Sequence, residues 1–259
     1  MRSIGPPQKE QQMNRFFADK KNITGDGILI DDALDIHHIT RVLRLKEGSF
    51  FEVFDSEEWE YKVELISVSP KELKTKILDK SKASREPETR ITLFQGIPKG
   101  GKPETIIRES VELGVKGIVP VVTARTDFYD KRKSGAKTER FRKVAEEAAK
   151  QCRRVVIPEV SKEIFFADMI NIFNAGNFDT VIFAYENEEN RTIKTALRNR
   201  EVKPGSVALV IGPEGGFSEE EAEALTKAGA VSVSLGKTVL RTETAGPAAI
   251  AMIMYELEL

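Results

Sequence analysis

LVIGPEGGF, residues 209–217, carries an apolar run straight into a Gly-Pro-Glu-Gly-Gly turn, and Ser218 then opens an acidic stretch, SEEEAEAL, with the look of a helix. A turn this bare after a buried strand has two readings: an ordinary tight strand-to-helix connection, or a loop that grips a ligand. Neither the dinucleotide nor the phosphate fingerprint fits, because Gly212, Gly215 and Gly216 do not give G-x-G-x-x-G and no lysine follows them. A neutral, glycine-rich turn suits a ligand held by main-chain amides and carbonyls. Adenine is such a ligand: its edge matches backbone donors and acceptors, while apolar side chains such as Ile211, Leu235 and Leu240 cover its faces.

The surrounding pattern sets the fold. From Arg90 onward, strand-like segments (ITLFQG, GIVPVVT, TVIFAYE, SVALVIG, VSVSLG) alternate with amphipathic helical ones. This predicts an α/β domain with a mostly parallel sheet covered on both faces, and ligands in such sheets gather at the carboxyl ends of the strands. Residues 50–79 instead alternate apolar and polar side chains with period 2, predicting a small antiparallel sheet in a β-rich N-terminal module whose first strand lies around Arg15 to Ala18. Between them, DIHHITRVLRLKEGS places Ile36, Ile39, Val42 and Leu43 on one helical stripe after a candidate Asp35 cap, with Arg41 and Arg44 off the stripe. KSKASREPET, residues 80–89, is charged and aperiodic and reads as a linker, giving domains 1–82 and 83–259.

Bulk properties exclude several classes. The chain of 259 residues, 40% hydrophobic and 31% charged, is long enough for a full α/β core with a smaller module. No apolar run approaches the roughly 20 residues of a membrane span, and the first residues carry no apolar core of an export signal, so the expected location is cytoplasmic, without a membrane partner. Cys152 stands alone and only His37 and His38 could join it, so no metal site is expected. The net charge of −1 supplies no global attraction for nucleic acid, and a polyanion site must come from local clustering. Lys131 to Arg154 is such a cluster, with ten Lys or Arg against three Glu; taken alone, it reads first as a solvated helix face.

Two loops follow strand ends elsewhere. GIPKGGKP fits the first part of a phosphate loop through Gly96, Gly101 and Lys102, but Pro103 stands where a magnesium-binding hydroxyl is required, and no later strand ends in the metal-binding Asp. Pro103 instead suits the first turn of a helix, and Lys99 and Lys102 are either solvated loop lysines or mobile cations at a sheet edge. The second loop is SLGKTVLRTETAGPAAIAM, residues 234–252, in which Thr244 reads as an N-cap and Pro247 as a first-turn residue. That accounts for a helix start but not for Arg241 and Glu243.

IGPEGGFSEEE followed by LGKTVLRTETA resembles the two cofactor motifs of the SPOUT methyltransferases, specifically the bacterial 16S ribosomal RNA (uracil-N3) methyltransferase family. MNRFF, HHITRVLRLKEGS, PKGGKPETIIRESVELGV and AAKQCRRVVIPEV resemble further signatures of that family in the same order, so the likeness spans nearly the whole chain; Gly101, Pro103, Cys152 and Arg153 depart from the pattern. The resemblance implies an α/β C-terminal domain with a deep trefoil knot and an N-terminal PUA-like β-barrel that binds RNA. It implies a homodimer paired through the knot domain, S-adenosylmethionine as cofactor, and 16S rRNA or the assembled small ribosomal subunit as partner. On that reading Ile211, Gly212, Pro213, Gly215, Gly216, Leu235, Gly236, Leu240, Arg241, Thr242, Thr244 and Ala245 line the cofactor pocket.

Methylation of uracil N3 requires loss of a weakly acidic proton and stabilisation of charge on the uracil oxygens. Arg241, permanently charged and forked, suits the second task. Glu243, ahead of Glu214, is the candidate proton acceptor if its pKa is raised, and otherwise a helix N-terminal charge. Arg153 and Arg154, with Arg15, Arg41, Arg44, Lys99 and Lys102, are the candidate phosphate contacts. The competing readings are a knotted methyltransferase acting on a ribose 2′-hydroxyl or another base, and a non-catalytic RNA-binding protein of the same fold.

Overall fold

The computed structural model describes residues 14–55, 59–82, 86–126, 134–198 and 202–259. Met13 of the MNRFF motif, the linker residues 83–85 and the basic residues Lys131, Arg132 and Lys133 lie outside them. The chain divides into two compact units, Met1–Arg85 and Glu86–Leu259.

The first unit contains β1 (Arg15–Phe17), β2 (Ile23–Thr24), β3 (Gly27–Ile30), α1 (Ala33–His37), β4 (Phe50–Phe54), β5 (Trp59–Val68) and β6 (Leu73–Lys82). They form one six-stranded sheet, ordered β1-β4-β5-β6-β3-β2, antiparallel except for the β1–β4 pair. The period-2 reading holds: on β5, Tyr61, Val63 and Leu65 are buried while Lys62 is exposed. These side chains meet Phe16, Ile28, Ile39, Phe51 and Leu73 in a single core. Two local expectations fail. Asp32, not Asp35, caps α1, its Oδ1 accepting from the backbone N–H of Leu34 and Asp35 at 2.9 Å, and Asp35 itself is buried. A π-helical turn at His38–Val42 then widens the helix, so Ile36 and Ile39 point inward while Val42 is left 60% exposed.

The second unit contains β7 (Arg90–Gly96), α2 (Lys102–Glu112), β8 (Gly117–Val122), α3 (Ser134–Cys152), β9 (Glu159–Val160), β10 (Ile164–Phe165), α4 (Phe166–Asn174), β11 (Thr180–Ala184), α5 (Ile193–Arg198), β12 (Ser206–Ile211), α6 (Glu219–Lys227), β13 (Val231–Val233) and α7 (Thr242–Leu257). Every strand pairing in its sheet is parallel, in the order β10-β8-β7-β12-β11-β13, with β9 also on β8. One face buries Phe94, Phe183 and Val210 against Met169 and Phe173 of α4 and Ala222 and Leu225 of α6. The other face receives α7, whose Ala249, Ile250 and Ile253 are fully buried. The strands accordingly read as continuous apolar runs, as parallel strands covered on both sides must. Among the described residues, no helix is long and apolar enough to cross a membrane.

The expected linker is only partly one. β6 runs through Lys82, and Glu86, Glu88 and Thr89 are anchored to the second unit. Glu86 accepts from Arg154 (Nη2 at 2.5 Å) and from the backbone N–H groups of Val155 and Val156, both at 3.1 Å. Glu258 accepts from the backbone N–H of Thr89 at 2.9 Å and of Glu88 at 3.2 Å, and pairs with Lys203 Nζ at 3.2 Å. Burial works to raise the pKa of Glu258, but these hydrogen bonds from Thr89 and Glu88, with Lys203, outweigh it and bring it down to about 2. The stabilisation is therefore complete above the ordinary carboxylate value of 4.5 and is lost as pH falls from there through about 2. Glu258→Gln is expected to lower the urea midpoint at pH 7 and to flatten the acid-side decline of that midpoint between pH 5 and pH 3, measured against the unsubstituted protein.

Candidate functional site

A cavity of about 890 Å³ opens at the carboxyl ends of β11, β12 and β13. Its walls are three loops and a helix start: Ala184 to Thr192 after β11, Ile211 to Phe217 after β12, Ser234 to Leu240 after β13, and the first turn of α7, with Lys102 alongside. Parallel strands all end on one edge of the sheet, so loops far apart in sequence open on the same space.

The turn after β12 is built by its glycines. The backbone N–H of Gly216 bonds Pro213 O at 2.9 Å, and Gly216 takes φ +67°, where a side chain would be strained. Ser218 then caps α6 and Glu221 completes a capping box, with Ser218 Oγ accepting from the Glu221 N–H and the Glu221 carboxylate from the Ser218 N–H. Close approach decides a second glycine, Gly96 at the end of β7: a Cβ there would lie 2.5 Å from Pro213 N and 2.6 Å from Pro213 Cδ. The end of β7 and the turn after β12 are thus in backbone contact.

A buried polar bridge ties the third segment in. Gln95 Nε2 donates to Thr242 Oγ1 at 2.9 Å, and that hydroxyl donates to Gly212 O at 2.7 Å. This use of Thr242 changes the expected helix start. α7 begins at Thr242 with Arg241 as N-cap; Thr244 is exposed and within the first turn, and Pro247 lies inside the helix and is buried. Lacking an N–H, Pro247 cannot bond the carbonyl of Glu243, and apolar packing holds the helix there instead.

Ten of the twelve residues expected around a cofactor line the cavity: Ile211, Gly212, Pro213, Gly216, Leu235, Gly236, Leu240, Arg241, Thr242 and Ala245. Gly215 does not; it faces Arg125, whose Nη1 donates to its carbonyl at 2.6 Å. Thr244 also lies off the wall. The sequence reading missed Tyr185, Glu186, Glu188, Glu189 and Thr192, on the loop after β11. The signal was present, since TVIFAYE ends at the same edge as SVALVIG. Glu188 ties the loop to β13: it accepts from Ser232 Oγ at 2.6 Å and from the N–H groups of Asn190 and Arg191 at 3.0 Å, which together hold its pKa below the usual value.

The charged groups at the site differ from expectation. The pKa of Glu243 is lowered, not raised, chiefly by a hydrogen bond from its own backbone N–H, with Lys102 and Arg241 adding to it. For Glu214, burial pushes upward, but its own N–H and Lys102 prevail and the pKa is again lowered. The pKa of Lys102 is raised, chiefly by its hydrogen bond to Glu214, with the ion-paired Glu243 carboxylate 3.2 Å away adding to it. All three are ionised at neutral pH, and neither carboxylate is tuned as a strong base.

The candidate phosphate contacts separate into two groups. Arg154 is 7% exposed and fully committed, to Glu86 and to the carbonyls of Val111 at 3.1 Å and Val115 at 2.6 Å, so it is a structural residue. Arg15 is paired with Glu52 at 2.7 Å across β1 and β4 and is also structural, and Lys102 belongs to the cavity wall. Arg41, Arg44, Lys99 and Arg153 are exposed.

Comparison with known proteins gives a consistent picture. The RNA methyltransferase domain family matches residues 85–254, and the RNA methyltransferase PUA domain matches residues 30–78. The chain is 34% identical to the ribosomal RNA small subunit methyltransferase E of Bacillus subtilis over 95% of this chain and 98% of that one. It is 30% identical to the same-named protein of Aquifex aeolicus over 93% and 99%. Among solved structures, it is similar to a putative methyltransferase of Legionella pneumophila in complex with bound S-adenosylmethionine (TM-score 0.80, 28% identity, 94% and 98% coverage). The ribosomal RNA small subunit methyltransferase E of Neisseria gonorrhoeae bound to S-adenosylmethionine gives TM-score 0.80 at 26% identity, with 94% and 97% coverage.

Gly96→Ala is expected to destabilise the protein by about 2 kcal/mol or more, because the clash is with backbone on both sides. Because the displaced turn is the cavity wall, amide exchange along 214–217 should quicken in the same variant, read by hydrogen-exchange mass spectrometry beside urea unfolding.

Proposed function

Because this chain belongs to the ribosomal RNA small subunit methyltransferase E family, we propose that it transfers the methyl group of S-adenosylmethionine to N3 of a uridine in 16S rRNA. The observation that carries the proposal is the cavity at the carboxyl ends of β11 to β13, walled by the glycine-rich turn after β12 and the loop after β13, with Arg241 at the start of α7 beside them. The cavity volume of about 890 Å³ suits a ligand of nucleoside size. Ile211, Val233, Leu235 and Leu240 supply apolar surface for a purine, and among the described residues no hydrogen bond within the protein uses the main chain of Lys237 to Leu240, so its donors and acceptors are available to a ligand. The contact of Gly96 with Pro213, and the return of Thr242 to Gly212 and Gln95, support the deep trefoil knot expected in the second unit. The PUA match supports reading the first unit as an RNA-binding PUA-like barrel. A homodimer formed through the knot domain, 16S rRNA or the assembled small subunit as partner, and a cytoplasmic location complete the proposal.

When bound, S-adenosylmethionine supplies an electrophilic methyl on a sulfonium sulfur. The N–C bond forms as the S–C bond breaks, and the N3 proton must leave. Arg241, exposed at the N-cap of α7, holds the developing negative charge on a uracil oxygen, which acidifies N3–H. Glu243 and Glu214, with lowered pKa values, are weak acceptors, so the N3 proton passes to solvent water while Arg241 stabilises the charge it leaves on the uracil. Arg41, Arg44, Lys99 and Arg153 are the proposed phosphate contacts.

Arg241→Ala is expected to keep S-adenosylmethionine affinity within about twofold while turnover falls roughly a hundredfold. Labelled methyl transfer followed by nucleoside analysis checks both the rate and the site, and product on a ribose hydroxyl would replace the N3 assignment. RNA affinity should fall steeply with salt, and Arg153→Ala should reduce the slope of log K against log salt by about one.

A further inference from the structure

Three segments distant in sequence end in one cluster of charges. Lys102, the first residue of α2, places Nζ 3.0 Å from Glu214 Oε1 and 3.2 Å from Glu243 Oε2. Glu214 belongs to the turn after β12 and Glu243 to the first turn of α7, the two segments that Thr242 already joins from beneath. The side chains of Lys102, Glu214 and Glu243 are 35, 29 and 22% exposed, so the pairs are partly withdrawn from water.

Glu214 has a second task. The N-cap of α2 is Gly101, which has no side chain to satisfy the helix start, and the Glu214 carboxylate accepts the backbone N–H of Lys99 just before it at 3.1 Å. A carboxylate from another segment thus anchors the loop leading into α2, close to the positive end of that helix. Lys102 answers with its ammonium from the same loop, so the contact is double: backbone to Glu214 and side chain to Glu214 and Glu243. A compact ammonium with three donors can serve two carboxylates on different segments, where the planar fork of Arg favours one.

We propose that Lys102 is a positioning residue for methyl transfer: its ammonium latches Glu214 to Glu243 and so keeps the turn after β12, the first turn of α7 and the adjoining Arg241 in reactive register. This rests on the methyltransferase reading above. Exposed ion pairs contribute little to global stability, so the effect falls on geometry rather than on folding. The cluster raises the pKa of Lys102 and adds to the lowering of Glu214 and Glu243 that their own backbone N–H groups begin. Removing the ammonium removes a cause that holds both carboxylates low, and the pH below which they protonate then rises.

The test uses the full chain with Lys102→Met and Lys102→Arg, S-adenosylmethionine, and 16S rRNA or small subunits as methyl acceptor. Lys102→Met is expected to lower kcat roughly ten- to a hundredfold, the cost of a displacement on the order of an ångström. KM for RNA should stay within about twofold, and the acid limb of the kcat profile should move to higher pH. Lys102→Arg should restore part of kcat and return the acid limb toward its original position. Hydrogen exchange at the amides of 212–217 and 241–245 should quicken in Lys102→Met, a readout independent of turnover. Unchanged kcat with a raised RNA KM and a salt slope smaller by about one would make Lys102 a phosphate contact instead and overturn the latch. Unchanged exchange overturns it whatever the activity, whereas a wild-type protein that binds no S-adenosylmethionine refutes the methyltransferase reading separately.

Discussion

The hydroxyl of Thr242 is the joint on which the site depends. It accepts from Gln95 and donates to the carbonyl of Gly212, connecting the end of β7, the turn after β12 and the start of α7 through one atom. A hydroxyl can do this because it is donor and acceptor at once; valine has the same shape and could do neither. The bridge is buried, where an unmade hydrogen bond costs about 1–3 kcal/mol, so each of the three segments is held where the other two require it. Gly96 makes the arrangement sterically possible, since any side chain there would occupy the position of Pro213.

Above that joint the site divides its tasks by polarity. The inner wall is glycine, proline and aliphatic surface with unused main-chain groups, suited to a purine that carries no charge. Charged side chains occupy other parts of the wall: Glu186, Glu188 and Glu189 on the loop after β11, Lys237 on the loop after β13, and Lys102, Glu214 and Arg241, with Glu243 beside them. The carboxylates that the sequence offered as bases have lowered pKa values because each accepts its own backbone N–H, and the Lys102 ammonium within the cluster adds to that. A weak base and a strong local cation favour chemistry in which the nucleophile is made more acidic, rather than one in which its proton is pulled away.

How much of this could be read in advance follows from what each signal measures. The turn chemistry of GPEGG and the small-residue run after LRTETA depend on local backbone geometry, and ten of the twelve expected wall residues are on the wall. The alternation of strands and helices likewise reports two-sided burial directly. TVIFAYE reads as a strand, but that the acidic loop after it shares a cavity with GPEGG depends on the pairing of β11 between β12 and β13, a non-local fact. Arg154 shows the converse error. A basic run predicts a solvated surface, yet this arginine turns inward because Glu86, the Val111 carbonyl near the end of α2 and the Val115 carbonyl just past it supply its partners. Thr244 was misread as a cap because Thr242, two residues earlier, is recruited by a tertiary hydrogen bond that no local rule anticipates.

The exposed arginines add a separate physical mark. Among the described residues, the non-glycine positions with left-handed backbone are Arg44, at φ 54°, and Arg153, at φ 63°. Arg153 follows α3, and the N–H of Arg154 returns to the carbonyl of Ala149 at 3.0 Å, the closing bond of a helix end that ordinarily takes glycine at the Arg153 position. Placing arginine there costs on the order of 1 kcal/mol relative to glycine. It does not serve burial, since both arginines are exposed. A tight helix stop could have been had at lower cost. What arginine adds over glycine is a long cationic side chain carried on a backbone that cannot relax into the helix, which fixes where that charge leaves the surface.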